Sequence, residues 1–169
     1  YKFIIDADIP TSEHVDEDYG YQLAKELNTP FQPHDYQNEY IVNCIKKERG
    51  VMVSPTSSGK SFIMYLMQHH YRQTINAKIL IVVPTVVLVN QMADDFVSYG
   101  GNPDDTKRIM AGVPKDTDKP NTVTTWQSIT KQDAEWFSQF DVIFGDEAHL
   151  FAAKSLIGIM EKLHTCRYR

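Results

Sequence analysis

Two short strings carry side chains whose types and spacing suit phosphate chemistry. Ser54-Pro55-Thr56-Ser57-Ser58-Gly59-Lys60-Ser61 lies between the apolar triplet Val51-Met52-Val53 and a segment with helical spacing. In that setting the backbone N–H groups of the loop and of the helix start point at a phosphate chain, and the helix dipole favours its negative charge. Lys60 can then reach the β- and γ-phosphates, and the Ser61 hydroxyl can ligate Mg²⁺. Gly59 lets backbone approach phosphate without a side chain in the way. The leading glycine of the simple motif is replaced by Ser54, and a Gly-Lys-Ser string also arises in an ordinary turn before a helix.

Asp141-Val142-Ile143-Phe144-Gly145-Asp146-Glu147-Ala148-His149 is an apolar strand that delivers two adjacent carboxylates at its C-terminal end. Open α/β sheets bind ligands at that edge. Asp146 is assigned to Mg²⁺ through its water shell, and Glu147 to orienting and deprotonating the water that attacks a γ-phosphoryl group. Alone, the pair reads equally as a solvated acidic turn. Following a phosphate loop, and with His149 added, it points to a nucleotide hydrolase.

These strings need a scaffold, and the chain supplies an alternation of strands and helices that predicts a parallel sheet with crossover helices. A helix is expected over His34 to Arg49, ending at Gly50, then a short buried strand at Val51 to Val53 and a helix over Ser61 to Tyr71. Lys78 to Val83 is the clearest strand, and a helix over Val86 to Tyr99 stops at Gly100-Gly101. Weaker strands are expected at Lys107 to Met110 and Thr122 to Thr125, a helix around Asp133 to Phe137, a strand at Asp141 to Phe144 and a helix over Ala152 to Leu163. Upstream, Tyr1 to Ile9 reads as a strand with no visible partner nearby, and residues 11–30 as an acidic linker with a helical piece near Tyr21 to Leu27. The expected fold class is α/β, a RecA-like P-loop domain with a mostly parallel sheet and helices on both faces, preceded by an N-terminal strand and linker.

Composition excludes several other classes. The 169 residues are 42% hydrophobic, enough for one domain with its own core. Cys44 and Cys166 have neither C-x-x-C pairing nor metal-ligand spacing. That cysteine usage makes a reducing cytoplasm the expected location, and no apolar run approaches the roughly 20 residues that cross a bilayer, so no membrane partner is expected. A net charge of −5 argues against binding nucleic acid by bulk electrostatics, though not against a local contact groove.

Asp146-Glu147-Ala148-His149 and Pro55-Thr56-Ser57-Ser58-Gly59-Lys60-Ser61 together resemble the Walker B and variant Walker A motifs of superfamily 2 helicases, in which the first glycine is often absent. Further positions follow that pattern in order. Tyr36-Gln37 resembles the Q motif, whose glutamine reads adenine, with His34 standing where many relatives carry arginine. Pro84-Thr85 with Leu88 and Gln91 resembles motif Ia, Gly112 the weaker motif Ib, and Thr124-Thr125-Trp126-Gln127 motif Ic. The resemblance implies ATP and Mg²⁺ as cofactors, coupling through His149, and contacts from Pro84, Thr85, Gln91, Gly112, Thr124, Thr125 and Gln127 to the backbone of a DNA strand. Thr85 and Thr125 are also good capping residues, and Trp126 is expected to pack rather than stack on a base.

The strings Pro33-His34-Asp35-Tyr36-Gln37, Gln91 to Val97 and Glu135 to Phe140 are similar to those of phage helicases that remodel branched DNA, such as forks, junctions and RNA–DNA hybrids. That resemblance implies a monomeric motor of two RecA-like lobes. Residues 1–30 are then expected to end an N-terminal domain, and 31–169 to form an incomplete first lobe without motif III or a second lobe. A nearly inactive fragment follows. A nucleotide- or partner-binding module without hydrolysis, and a small P-loop kinase, stay compatible with the phosphate loop alone.

Overall fold

The computed structural model describes residues 2–4, 15–53, 55, 57–147, 154–163 and 165–169. In chain order its elements are β1 (Lys2–Ile4), α1 (Tyr19–Glu26), α2 (Asp35–Lys47), β2 (Val51–Val53), α3 (Lys60–Ile75) and β3 (Ile79–Val83). There follow α4 (Val86–Ser98), β4 (Thr106–Ile109), β5 (Asn121–Thr125), α5 (Trp126–Ile129), α6 (Ala134–Ser138), β6 (Val142–Gly145) and α7 (Lys154–Lys162).

All five residues of β3 are apolar and buried, which only a central strand covered on both faces allows. It pairs in parallel with β5 on one side and β6 on the other, and β4 extends the sheet beyond β5, in the order β4-β5-β3-β6. Alternate residues of a strand face opposite sides, and β3 divides accordingly. Ile79, Ile81 and Val83 join a core with Ile41 and Ile45 of α2, Leu66 of α3 and Phe96 of α4. Leu80 and Val82 join a second core with Ile129, Phe137 and Ile159 of α5, α6 and α7. Helices therefore cover both faces, as expected of a RecA-like domain. The buried residues of α4, Val89, Met92, Ala93 and Phe96, recur at the spacing of one helical stripe.

Register aligns the strand ends. Val83 lies opposite Thr125, and Val82 opposite Gly145. Residues following β3, β5 and β6 thus leave the sheet along one edge.

Two expectations at the start of the chain are corrected. The upstream strand does have a partner: β1 pairs antiparallel with β2, Lys2 opposite Val53 and Ile4 opposite Val51. Nor is β2 buried, since Val51 and Val53 are 46% and 49% exposed. Its free side borders a cleft of about 560 Å³ shared with β6 and α3, so its side chains lack cover there. Tyr168 and Arg169 link the two sheets below this cleft. Ile143 N–H donates to Tyr168 O and Gly50 N–H to Arg169 O, at 2.9 and 3.0 Å. Helix α2 also ends before Gly50, on Glu48 in the left-handed conformation at φ 61°. No helix among the described residues is long and apolar enough to cross a membrane.

Candidate nucleotide and nucleic-acid site

Gly59 caps α3 with φ 73°, a conformation that disfavours any Cβ. A Cβ there would also collide with Nε2 of Gln37. Lys60 is the first residue of α3, and its ammonium lies 3.6 Å from Asp146 Oδ1 and 3.9 Å from Glu147 Oε1. Asp146 is carried to that point by β6, its N–H donating to Val82 O of β3 at 2.9 Å. Glu147 follows with φ 56°, a strained turn of the kind that re-aims a side chain at a functional edge. The structure thus brings together Lys60, Asp146 and Glu147, which are 86 and 87 positions apart in sequence.

The Asp146 Oδ1 atom is buried without a hydrogen-bond partner. A buried carboxylate oxygen facing only an ammonium fits a site that receives a further positive charge or its bound water. Among the described residues no group of three or more His, Cys, Asp or Glu side chains could hold a metal. Mg²⁺ suits such a donor set, since it is commonly held by one or two carboxylates together with substrate phosphates. The Ser61 hydroxyl lies 2.9 Å from the Tyr99 hydroxyl.

Tyr36 and Gln37 reach the phosphate loop itself. The Tyr36 hydroxyl and the Gln37 side-chain N–H both donate to Ser58 O at 2.9 Å, and Gln37 Oε1 accepts from His34 N–H at 2.8 Å. Ser58 is buried and Ser57 adopts φ 63°, so the loop is held from α2 in a fixed curve. His34 stacks on Tyr36, with ring centroids 5.6 Å apart. Pro55 is exposed, whereas Ser54, Thr56 and His149 lie outside the described residues. Replacing Gly59 by alanine is expected to cost about 1–2 kcal/mol from the left-handed backbone alone and to displace Gln37. A lowered Tm together with weakened nucleotide binding checks this, and an unperturbed variant contradicts it.

Sequence reasoning passed over Phe31 and Tyr99 here. Phe31, 57% exposed, meets Phe62 and Tyr99 edge-on. Its signal was a large apolar residue in a polar stretch just before Pro33.

The expected nucleic-acid residues divide. Thr85 is exposed at the start of α4, where its Oγ accepts from Leu88 N–H at 3.3 Å, an ordinary cap that leaves its own proton to donate. Gln91 and Gln127 are exposed and Pro84 half-buried. Gly112 takes φ 79° with open space around it, so backbone conformation rather than packing calls for glycine. Thr124 is fully buried and its hydroxyl donates to Thr125 O, because β5 is covered on both faces. Thr125 is 4% exposed and bonds Ser128 Oγ. Trp126 packs against the second core, as expected.

A family model described as type III restriction enzyme, res subunit (ResIII), matches residues 30–168. The chain belongs to the ResIII family. It is 38% identical, over its whole length, to the ATP-dependent DNA helicase UvsW of Enterobacteria phage T4, and spans 36% of that protein. It is 27% identical over 99% of its length to the DNA 3'-5' translocase XPB2 of Sulfurisphaera tokodaii, again spanning 36%. A crystal structure of T4 UvsW superimposes with a TM-score of 0.85 at 36% identity, covering 99% of this chain and 63% of that one. The chain thus spans about a third of the length of these curated ResIII-like relatives, and the resemblance to superfamily 2 helicases read from its motifs holds along its whole length.

Proposed function

We propose that this chain is the ATP-hydrolysing first lobe of a DNA helicase or translocase that remodels branched DNA such as forks, junctions and R-loops. The observation that carries the reading is the convergence of Lys60 with Asp146 and Glu147 at the C-terminal edge of the sheet. ATP lies with its triphosphate along the loop from Pro55 to Lys60. The N–H groups of the loop and of the α3 start, with the Lys60 ammonium, bind the β- and γ-phosphates. Asp146 and Ser61 would hold Mg²⁺, which when bound neutralises charge on the phosphate oxygens. Glu147 orients a water in line with the γ-phosphorus and takes its proton, giving ADP and phosphate. Phe31 offers an aromatic edge to the base, and Tyr36 and Gln37 connect that end to the loop. His149 couples hydrolysis to strand movement.

The DNA face is assigned to Pro84, Thr85, Gln91, Gly112, Thr124, Thr125 and Gln127, of which Thr124 and Thr125 are buried in this lobe. Its donors are hydroxyls, amides and backbone N–H groups rather than cations, which suits sequence-independent contact with phosphates. Arg108 is paired with Asp94 at 2.6 Å, in keeping with a face that does not rely on bulk charge.

The motor requires a second lobe, whose arginines stabilise charge on the transferring phosphoryl group. We assign the parent protein a monomeric state and a cytoplasmic location, that of the host cell if it is phage-encoded.

The test is ATP hydrolysis by the two-lobed parent with and without forked DNA, beside this chain alone. The parent should be strongly stimulated and the chain remain near background. Stimulated turnover by the chain at the parent's rate would refute the two-lobe requirement, and a parent without ATPase activity refutes the motor itself.

A further inference from the structure

The C-terminal end of α4 meets the start of α3 at a contact that none of the motifs includes. Tyr99, the residue that caps α4, brings its hydroxyl 2.9 Å from Ser61 Oγ across 38 positions of sequence. Its ring is fixed on several sides. It meets Phe62 edge-on at 5.0 Å and Phe31 at 6.2 Å, and lies tilted against Tyr65 at 5.5 Å. The backbone is equally constrained: Tyr99 N–H donates to Asp95 O at 3.0 Å. Two residues on, a Cβ at Gly101 would come within 2.7 Å of Phe96 O. The chain therefore leaves α4 through Gly100 and Gly101, and Tyr99 is left pinned over the phosphate loop.

We propose that Tyr99 is a positioning residue for the nucleotide-associated cation, accepting the Ser61 hydroxyl proton so that the Ser61 oxygen keeps its lone pairs for Mg²⁺. The inference rests on the ATP reading above and extends it to a residue outside every motif. A serine hydroxyl has one proton and two lone pairs. When its oxygen ligates a cation, its O–H becomes a stronger donor and requires an acceptor. Tyr99 Oη is at the distance to be that acceptor. A phenol oxygen carries lone pairs of its own, so Tyr99 can accept from Ser61. Because the ring is packed, the Ser61 rotamer is selected before nucleotide arrives, which lowers the ordering cost on binding.

The experiment is binding of a fluorescent ATP analogue to this chain, titrated with Mg²⁺ and repeated in excess EDTA, for the unsubstituted protein, Tyr99→Phe, Ser61→Ala and the double variant. Tyr99→Phe retains the ring and removes only the hydroxyl. The Mg²⁺ concentration at half-saturation should rise roughly 3–10-fold, as expected for one hydrogen bond, while affinity in EDTA is unchanged. A merely structural role would weaken binding under both conditions. In the Ser61→Ala background Tyr99→Phe should add nothing to the Mg²⁺ dependence. An unshifted or lowered Mg²⁺ midpoint in Tyr99→Phe, or an additive double variant, overturns the proposal and leaves the ATP reading standing. Failure of the unsubstituted chain to bind the analogue overturns both.

Discussion

Replacing Lys60 by alanine is expected to lower DNA-stimulated kcat of the two-lobed parent by at least about 10²–10³-fold, the loss typical of removing one preorganised group from a developing charge. The effect should be large because Lys60 is the cation that the fold directs at both carboxylates, at 3.6 and 3.9 Å. Its loss leaves two adjacent negative charges facing an incoming triphosphate. The fold should be indifferent. Lys60 is the first residue of α3 and lies outside both hydrophobic cores, and a cation at a helix N-terminus opposes the helix dipole. Circular dichroism and a Tm within about 2 °C of the unsubstituted protein, a shift corresponding to less than 1 kcal/mol, should accompany the lost turnover. Retained turnover removes Lys60 from its role, and a collapsed Tm gives it a structural one.

Glu147→Gln is the second large effect, and it separates chemistry from binding. Glutamine keeps the length and shape of the side chain but cannot take a proton from water. A drop in kcat of about 10²–10⁴-fold is expected for loss of a general base, with ATP affinity within a few-fold of normal. Glu147 sits one residue beyond Asp146 in a left-handed turn at φ 56°, with its Oε1 3.9 Å from the Lys60 ammonium. Single-turnover hydrolysis with a parallel binding titration distinguishes the two steps. Equal losses in both would assign Glu147 to ground-state binding, and unchanged kcat would exclude it as the base.

What could be read from the sequence was what is written in local spacing. The β3 run declares itself because five consecutive apolar residues require cover on both faces. Helix α4 declares itself by its stripe and by the paired glycines that end it. The phosphate loop and the Asp146-Glu147 pair are each legible as contiguous strings, whereas their convergence depends on how β2, in its own sheet with β1, sits beside β6. Long-range partnerships were not legible. Val51 to Val53 gives no sign that it pairs antiparallel with Lys2 to Ile4 or that its other side borders a cleft. Thr124 resembled a ligand-facing hydroxyl because threonine suits both a turn and a strand, and only the helices on each face reveal that β5 is buried. The one-turn helix α5 is too short for periodicity to report. Tyr99 is invisible for the same reason as β1: its meaning comes from Ser61, far away in the chain.

A crystal structure of the chain with Mg²⁺ and a non-hydrolysable ATP analogue addresses the central arrangement most directly. Lys60 Nζ should lie about 3 Å from a β- or γ-phosphate oxygen, with Asp146 in the water shell of the cation and Glu147 facing the γ-phosphorus. A triphosphate bound elsewhere, or one from which Lys60 and the two carboxylates turn away, would contradict the account.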